Sequence, residues 1–168
     1  TTNSAPKYAI KHKANRYVSG AIGILETSLN GEYIILENLS SNKNVNLKGW
    51  YIHRYVPDQN INLIFKFVND TMLCCGEKLK ILSRSCSTKV RSTSMYEGVN
   101  TKSSNVTMTE NFKPKDKFVS DGNEKILIAS NIENWGTYSK FSVTKLINQD
   151  GVDKAVLTQS LLRLASST

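Results

Sequence analysis

The sequence predicts an all-β fold, and within that class a β-sandwich of about 8–9 strands. Short runs rich in β-branched and aromatic residues recur along the chain, and turn residues separate them at intervals of about 8 to 12 residues. No segment shows convincing helical periodicity. With 168 residues, the chain is long enough to bury a core as one domain without disulfide bonds.

The first two strands of the sandwich are predicted on either side of Asn30 and Gly31. Before this turn, Ile22 and Ile24 alternate with other residues, and after it residues 32–37 read E-Y-I-I-L-E. Asn-Gly between two such runs is the strongest short-range signal for a β-hairpin. We therefore expect a hairpin at this position.

A further strand is predicted at residues 49–56, which read G-W-Y-I-H-R-Y-V. The period of two places Trp50, Ile52 and Arg54 on one face and His53 on the other. We expect Trp50 and Ile52 to face the core. Arg54 is expected to emerge at the end of the strand, and His53 to point outward.

The remaining strands are predicted from shorter apolar runs bounded by turn residues. Residues 154–164 are ambiguous, because their leucine spacing fits a helix while their neighbours fit a final strand that pairs across an Asp-Gly turn. The other predicted strands lie at residues 61–68, 72–75, 77–82, 125–129 and 141–147.

The polar parts of the chain predict its organisation. Residues 1–18 hold four basic residues and no acid, and are expected to form a basic, flexible N-terminal arm. From about 83 to 123, Ser, Thr, Asn and Lys dominate without a sustained period, which predicts a long polar loop insertion. The sandwich is assigned to residues 19–160, and residues 161–168 to a C-terminal tail.

The core of the sandwich is predicted from the apolar and aromatic residues that alternate along the strands or flank them. The predicted core residues are Ile22, Ile24, Tyr33, Leu36, Trp50, Ile52, Phe65, Phe67, Leu73, Leu79, Ile81, Ile126, Ile128, Trp135 and Leu146.

The formal charge of +8 makes acidic partners plausible, including nucleic acid. The basic residues fall into two sets, one in the N-terminal arm and one that begins at position 78. Flexible basic segments bind phosphates weakly and in a salt-sensitive way, although such residues often only solvate a surface. Phosphorylation of the Ser/Thr-rich loop would weaken such binding. The candidate contacts are Lys7, Lys11, Lys13, Arg16, Lys78, Lys80, Arg84, Lys89 and Arg91.

The sequence does not predict an enzyme. His12 and His53 are the chain's two histidines, and neither has a sequence neighbour that would make it a catalytic base. The chain has an odd number of cysteines, Cys74, Cys75 and Cys86, and the first two are adjacent. Neither the immunoglobulin disulfide nor a zinc motif is therefore expected. We expect no cofactor, no metal and no small-molecule substrate.

Two further features bear on where the protein acts. No run of 18 apolar residues occurs, so no membrane span is expected. Asn38, Asn69 and Asn105 begin N-x-S/T sequons, which would accept glycans in a secreted protein. A secreted adhesion-type immunoglobulin-like domain is therefore a remote alternative.

Five blocks follow one another along the chain, at residues 20–40, 49–54, 65–77, 134–136 (N-W-G) and 146–151. In this order and spacing they resemble the lamin tail domain, the immunoglobulin-like β-sandwich that follows the rod of nuclear lamins. The resemblance implies that the predicted sandwich of about 8–9 strands is immunoglobulin-like. The resemblance covers about residues 20–159. The chain departs from it by about thirty extra residues before the N-W-G block, by the absence of heptads and by the absence of a C-a-a-X ending. It is most similar to a divergent lamin-tail-domain-containing protein rather than a nuclear lamin proper.

The resemblance implies a non-catalytic interaction or scaffolding module of a lamin- or intermediate-filament-related protein. Its partners would be proteins of the nuclear envelope or of filaments, and its location the nucleus or nuclear envelope. A cytoplasmic filament-associated location is the alternative. A weak chromatin or DNA tether through the basic arm and loop is the second function that the sequence favours.

Overall fold

A computed structural model describes residues 8–89, 123–137 and 139–165. Eleven strands occur in this part of the chain. They form a five-stranded sheet, a four-stranded sheet and a two-stranded sheet, with the main hydrophobic core composed of residues from all three. The prediction of an all-β sandwich is confirmed.

The five-stranded sheet is antiparallel throughout. The strand at its outer edge is β1, and the opposite edge strand is β6. Its strands, in spatial order, are β1 (Tyr8–Val18), β11 (Asp153–Ala165), β10 (Phe141–Ile147), β5 (Tyr51–Val56) and β6 (Ile61–Lys66).

The four-stranded sheet contains one parallel pair, β8 with β9. Its strands, in spatial order, are β2 (Ile22–Thr27), β3 (Tyr33–Asn38), β8 (Lys78–Ser83) and β9 (Glu124–Ala129). The two-stranded sheet pairs β4 (Val45–Asn46) with β7 (Met72–Leu73), and a 3₁₀ turn at Pro57–Gln59 separates β5 from β6.

The hairpin predicted at Asn30 and Gly31 is confirmed, since β2 and β3 pair antiparallel on either side of it. Gly31 has φ of +74°, a left-handed conformation that glycine adopts without a steric cost. The pairing contains one bulge, between Ile24 and Glu26.

The ambiguous C-terminal segment is a strand and not a helix. Strand β11 pairs with β10 across the turn at Gly151 and with β1 on its other side. Ala155 and Leu157 alternate into the core, so the period of two prevails over the leucine spacing. The strand runs to Ala165, so most of the expected C-terminal tail belongs to the sheet.

The basic N-terminal arm is not a flexible segment over residues 8–18, because this stretch is β1. It pairs with β11 from Tyr8 opposite Ala165 to Val18 opposite Ala155. Side chains 9–18 are all exposed, so the strand is held by backbone hydrogen bonds to β11 and carries no hydrophobic pattern. Residues 1–7 lie outside the described residues.

The predicted insertion at 83–123 lies largely outside the described residues, at positions 90–122. Its beginning is helical at 84–89, a feature that the sequence did not predict. Cys86 in this helical turn packs with Leu82 and Ile128 in a small second cluster.

Most of the predicted core residues are buried in the structure, whereas Tyr33, Trp50 and Ile126 are half-buried. Tyr33 and Ile126 pack against the second cluster, and Trp50 packs at the margin of the main one. The buried members are Ile22, Ile24, Leu36, Ile52, Phe65, Phe67, Leu73, Leu79, Ile81, Ile128, Trp135 and Leu146.

The N-W-G block closes one end of the sandwich around Trp135, whose side chain is 1% exposed. Its indole Nε1 donates to the Ile81 carbonyl at 3.2 Å, and its ring meets that of Phe65 edge to face at 6.1 Å. The Trp135 amide donates to the Gly31 carbonyl at 2.8 Å. This loop therefore joins the first hairpin to both sheets.

Candidate interaction surfaces and a buried arginine

The first basic set lies on β1, at the outer edge of the five-stranded sheet. Lys11, Lys13 and Arg16 are exposed there, and the Arg16 Nη2 atom donates to the Leu25 carbonyl at 3.0 Å. One backbone side of β1 has no strand beside it in the described sheet, so its N–H and C=O groups are open to pairing. Lys7 lies outside the described residues.

The second basic set lies on and after β8, in the other sheet. Lys78 and Lys80 are half-buried. The Lys80 Nζ atom lies 3.9 Å from Glu124 and 4.2 Å from the centre of the Tyr33 ring. The Lys80 charge is thus already engaged within the protein by an acid and an aromatic face.

The two cationic residues of the helical turn at 84–89 also form ion pairs with acidic residues. Arg84 pairs with Glu133, and the Lys89 Nζ atom lies 2.9 Å from Glu32. The hydrogen bond from Lys89 lowers the pKa of Glu32, and the same contact raises the pKa of Lys89. Such exposed pairs contribute little stability and can exchange partners. Arg91 lies outside the described residues.

The structure places the two basic sets in different sheets and does not bring them into one patch. In the second set, Lys80, Arg84 and Lys89 have intramolecular acidic partners, whereas Lys11 and Lys13 have no ion-pair partner in the described part of the chain. Nucleic-acid contact by either set remains a prediction.

The histidines and cysteines do not form a common site. His53 on β5 is half-buried, and its Nε2 atom lies 2.5 Å from the Asn62 amide oxygen. His12 lies on β1. Cys86 is buried, and burial raises the pKa of its thiol. Among the described residues, no group of three or more His, Cys, Asp or Glu side chains could hold a metal ion.

The asparagine of the first sequon, Asn38, has a structural role. Its side chain is buried, and its Nδ2 atom donates to the carbonyls of Lys43 at 2.7 Å and Leu73 at 2.9 Å. The amide nitrogen that a glycan would modify is therefore enclosed in this fold. Asn69 is half-buried, and Asn105 lies outside the described residues.

The expectation that Arg54 emerges at the end of β5 is wrong, because its side chain is 3% exposed. Its Nε atom donates to the Trp135 carbonyl at 2.8 Å, and its Nη1 atom to the Thr144 hydroxyl at 2.7 Å. Burial lowers the pKa of Arg54 to about 10. The strand continues inward beyond it to the buried Val56, so period two alone could have placed Arg54 inside.

Arg54 lines a cavity of about 90 Å³ that is open to solvent. The walls come from β1, β5, β10, β11, the end of β2 with the following turn, and the segment before β10. Gln159, on β11, accepts hydrogen bonds from two other residues that line the cavity. Its Oε1 atom accepts from the hydroxyls of Thr27 at 2.6 Å and Ser142 at 3.3 Å.

The fold and these surfaces define the chain as an all-β sandwich module with an exposed edge strand. No family model matches the sequence. The chain is similar to Intermediate filament protein B of Ascaris suum, with 26% identity over 163 residues. That similarity covers 97% of this chain and 22% of the relative, so the chain spans about a fifth of that protein's length.

The similarity agrees coarsely with the resemblance to the lamin tail domain and connects the chain to filament proteins. The all-β fold is compatible with both. Within the described ranges, none of the helical segments has the length and apolar character needed to cross a membrane.

Proposed function

We propose that this chain is a non-catalytic interaction and scaffolding module of a protein related to intermediate filaments or lamins. The observation that carries the proposal is the similarity to an intermediate filament protein across 97% of the chain. The β-sandwich supports it, because the fold offers broad sheet edges and loops for protein contact. Its location would be the nucleus or nuclear envelope, or filaments of the cytoplasm.

We propose that the partner contact lies at the edge of β1 that no described strand covers. An edge strand with unpaired backbone groups can accept an extended segment of another protein as an additional strand. Ile10 and Tyr17 on β1 are 61% and 56% exposed, which adds apolar contact area to this edge. The occupant would be an extended segment of a filament or nuclear-envelope protein.

Affinity purification from cells that express the protein would test this function. The variant Ile10→Ser/Tyr17→Ser should lose filament or nuclear-envelope proteins that the unchanged chain retains. Ile64→Ser/Val68→Ser is the matched control, since these side chains are 60% and 55% exposed and lie on or just after β6, at the opposite edge of the same sheet. Failure of the unchanged chain to enrich any such protein would contradict the proposal.

A chromatin or DNA tether is the second candidate, favoured by the exposed lysines on β1. Binding to duplex DNA should fall with salt, with a logarithmic slope of about 0.9 for each phosphate contact. Lys11→Gln/Lys13→Gln should make this slope shallower. Lys80→Gln/Arg84→Gln, which removes two cations that already have acidic partners, should change it less. No binding of the unchanged chain at low salt would exclude the tether.

A further inference from the structure

The cavity beside Arg54 contains a buried positive charge without a negative partner among the described residues. None of the described Asp or Glu residues lines the cavity, and Arg54 forms no ion pair with any of them. The hydrogen-bond acceptors of its guanidinium are a carbonyl and hydroxyls, all of them neutral. A buried charge is costly unless it is paired, so an anion in the cavity would offset this cost.

Two donor nitrogens of the cavity's lining residues have no acceptor among the described residues. Arg54 uses Nε and Nη1, and its Nη2 atom has no acceptor in the described part of the chain. The Oε1 atom of Gln159 accepts hydrogen bonds from two hydroxyls, while its Nε2 atom has no acceptor among the described residues. The described residues contain no enclosed side-chain nitrogen or oxygen without a partner, so both nitrogens remain accessible. A ligand that fits here must accept hydrogen bonds.

Lys13 of β1 adds a positive charge to the walls. His12 also lines the cavity, and the remaining lining is mostly hydroxyl-bearing. Ser139 lines the cavity, and its hydroxyl donates a hydrogen bond to Asp58, which does not line the cavity. The volume of about 90 Å³ is several times what a single water requires, which is roughly 15 Å³. A guanidinium with amide and hydroxyl donors matches the oxygen atoms of a phosphate group.

We propose that this cavity binds one phosphate group, with Arg54 and Gln159 as its principal donors. The group could belong to free inorganic phosphate or to a phosphorylated side chain of a partner, since the cavity is open to solvent. The proposal depends neither on the filament relationship nor on the edge of β1. A failed affinity purification would therefore leave it intact.

Thermal unfolding of the full 168-residue chain against inorganic phosphate tests the site, with ionic strength held constant by sodium chloride. The midpoint should rise saturably with phosphate, because a ligand that binds only the folded state stabilises it. Arg54→Met should abolish the rise. Lys11→Gln, which removes one charge from β1 outside the cavity, should retain it. No rise in the unchanged chain, or an equal rise in Arg54→Met, would overturn the proposal.

Ser142→Ala provides a second test that does not remove the buried charge. The Ser142 hydroxyl makes only long hydrogen bonds, at 3.3 Å to Gln159 and 3.5 Å from Arg54, so its loss should leave the fold intact. Phosphate affinity, measured from the backbone amide shifts of Gln159 and Ser160, should fall severalfold. Unchanged affinity together with unshifted Gln159 and Ser160 amides would place the phosphate elsewhere and overturn the proposal.

The source of the phosphate group can be separated in the same assay. A short phosphoserine peptide that binds more tightly than inorganic phosphate, while its unphosphorylated form does not bind, would identify a modified partner. Binding of inorganic phosphate alone would identify the free anion. Either result supports the phosphate site, provided that the ligand that binds the unchanged chain no longer binds Arg54→Met.

Discussion

At the scale of single residues, the contact between Gly31 and Asn134 links the first hairpin to the N-W-G block. A Cβ atom on Gly31 would lie 2.0 Å from Asn134 Oδ1 and 2.8 Å from the Gly136 nitrogen. Asn134 is itself held, because its Oδ1 accepts from the Gly136 amide at 2.8 Å and its Nδ2 donates to the Asn30 carbonyl at 3.1 Å. The glycine therefore serves both the turn and the close approach of the loop.

Gly31→Ala should destabilise the protein more than Gly76→Ala. The two glycines have nearly the same φ, +74° and +73°, but a Cβ at Gly76 meets nothing within 4 Å. The left-handed backbone costs both alanines about 1–2 kcal/mol. Overlap with Asn134 should cost Gly31→Ala about 1–3 kcal/mol more. Urea unfolding of the two variants measures the difference, and equal losses would refute the role of the contact.

At the scale of elements, Glu77 links the start of β8 to β9, although more than forty residues separate them in sequence. Its Oε2 atom lies 2.8 Å from the Lys125 Nζ atom and accepts from the Cys74 amide at 2.7 Å. Burial acts to raise the pKa of Glu77, but the hydrogen bonds from Lys125 and Cys74 outweigh it and leave this pKa below its usual value.

Glu77→Gln should lower the free energy of unfolding at neutral pH and should make this free energy less sensitive to acidification. A carboxyl whose pKa is depressed by folding stabilises the protein above its unfolded pKa, about 4.3. This contribution is lost as the pH falls through the folded value. Urea midpoints from pH 7 downward measure the effect. Glu37→Gln, which removes a carboxylate of β3 that makes no ion pair with a described residue, is the control.

If the unchanged chain and Glu77→Gln lost stability in parallel on acidification, the bridge between β8 and β9 would have no role in the acid response. If Glu37→Gln behaved like Glu77→Gln, the effect would reflect net charge and not this bridge.

At the scale of the whole molecule, β1 determines where the five-stranded sheet ends. It pairs with β11 over eleven positions but places no described side chain in the core. Removal of β1 would leave β11, a strand of 13 residues, as the new edge. Long unpaired edges are templates for association between chains, and at the present edge the exposed Lys11, Lys13 and Arg16 of β1 oppose association between copies of the chain.

A chain shortened to residues 19–168 should keep its core but self-associate more than the full chain. Sedimentation velocity over a range of concentrations should show oligomers that the full chain lacks. The near-ultraviolet circular dichroism of Trp135, which is buried away from β1, should remain native-like. A monomeric truncated chain of unchanged stability would show that β1 does not protect the sheet edge.

The sequence by itself determined those features whose signal lies in neighbouring residues. The Asn-Gly turn requires a left-handed backbone, and the period of two selects the inward residues of β2, β5 and β8. Both signals are local, so they predicted the sandwich and the buried positions of Ile52 and Ile81. The edge strand β1 has no such signal, because backbone hydrogen bonds hold it and its side chains face water.

Only the tertiary structure decided which acids neutralise the basic residues after position 78 and which groups accept hydrogen bonds from Arg54. Ion pairs such as Lys89 with Glu32 join residues far apart in sequence, so the net charge of a stretch could not predict its free charge. The period of two is enough to place Arg54 inside, but its carbonyl acceptor comes from the N-W-G loop, 81 residues further along the chain. The walls of its cavity come from strands that meet only in the folded sandwich.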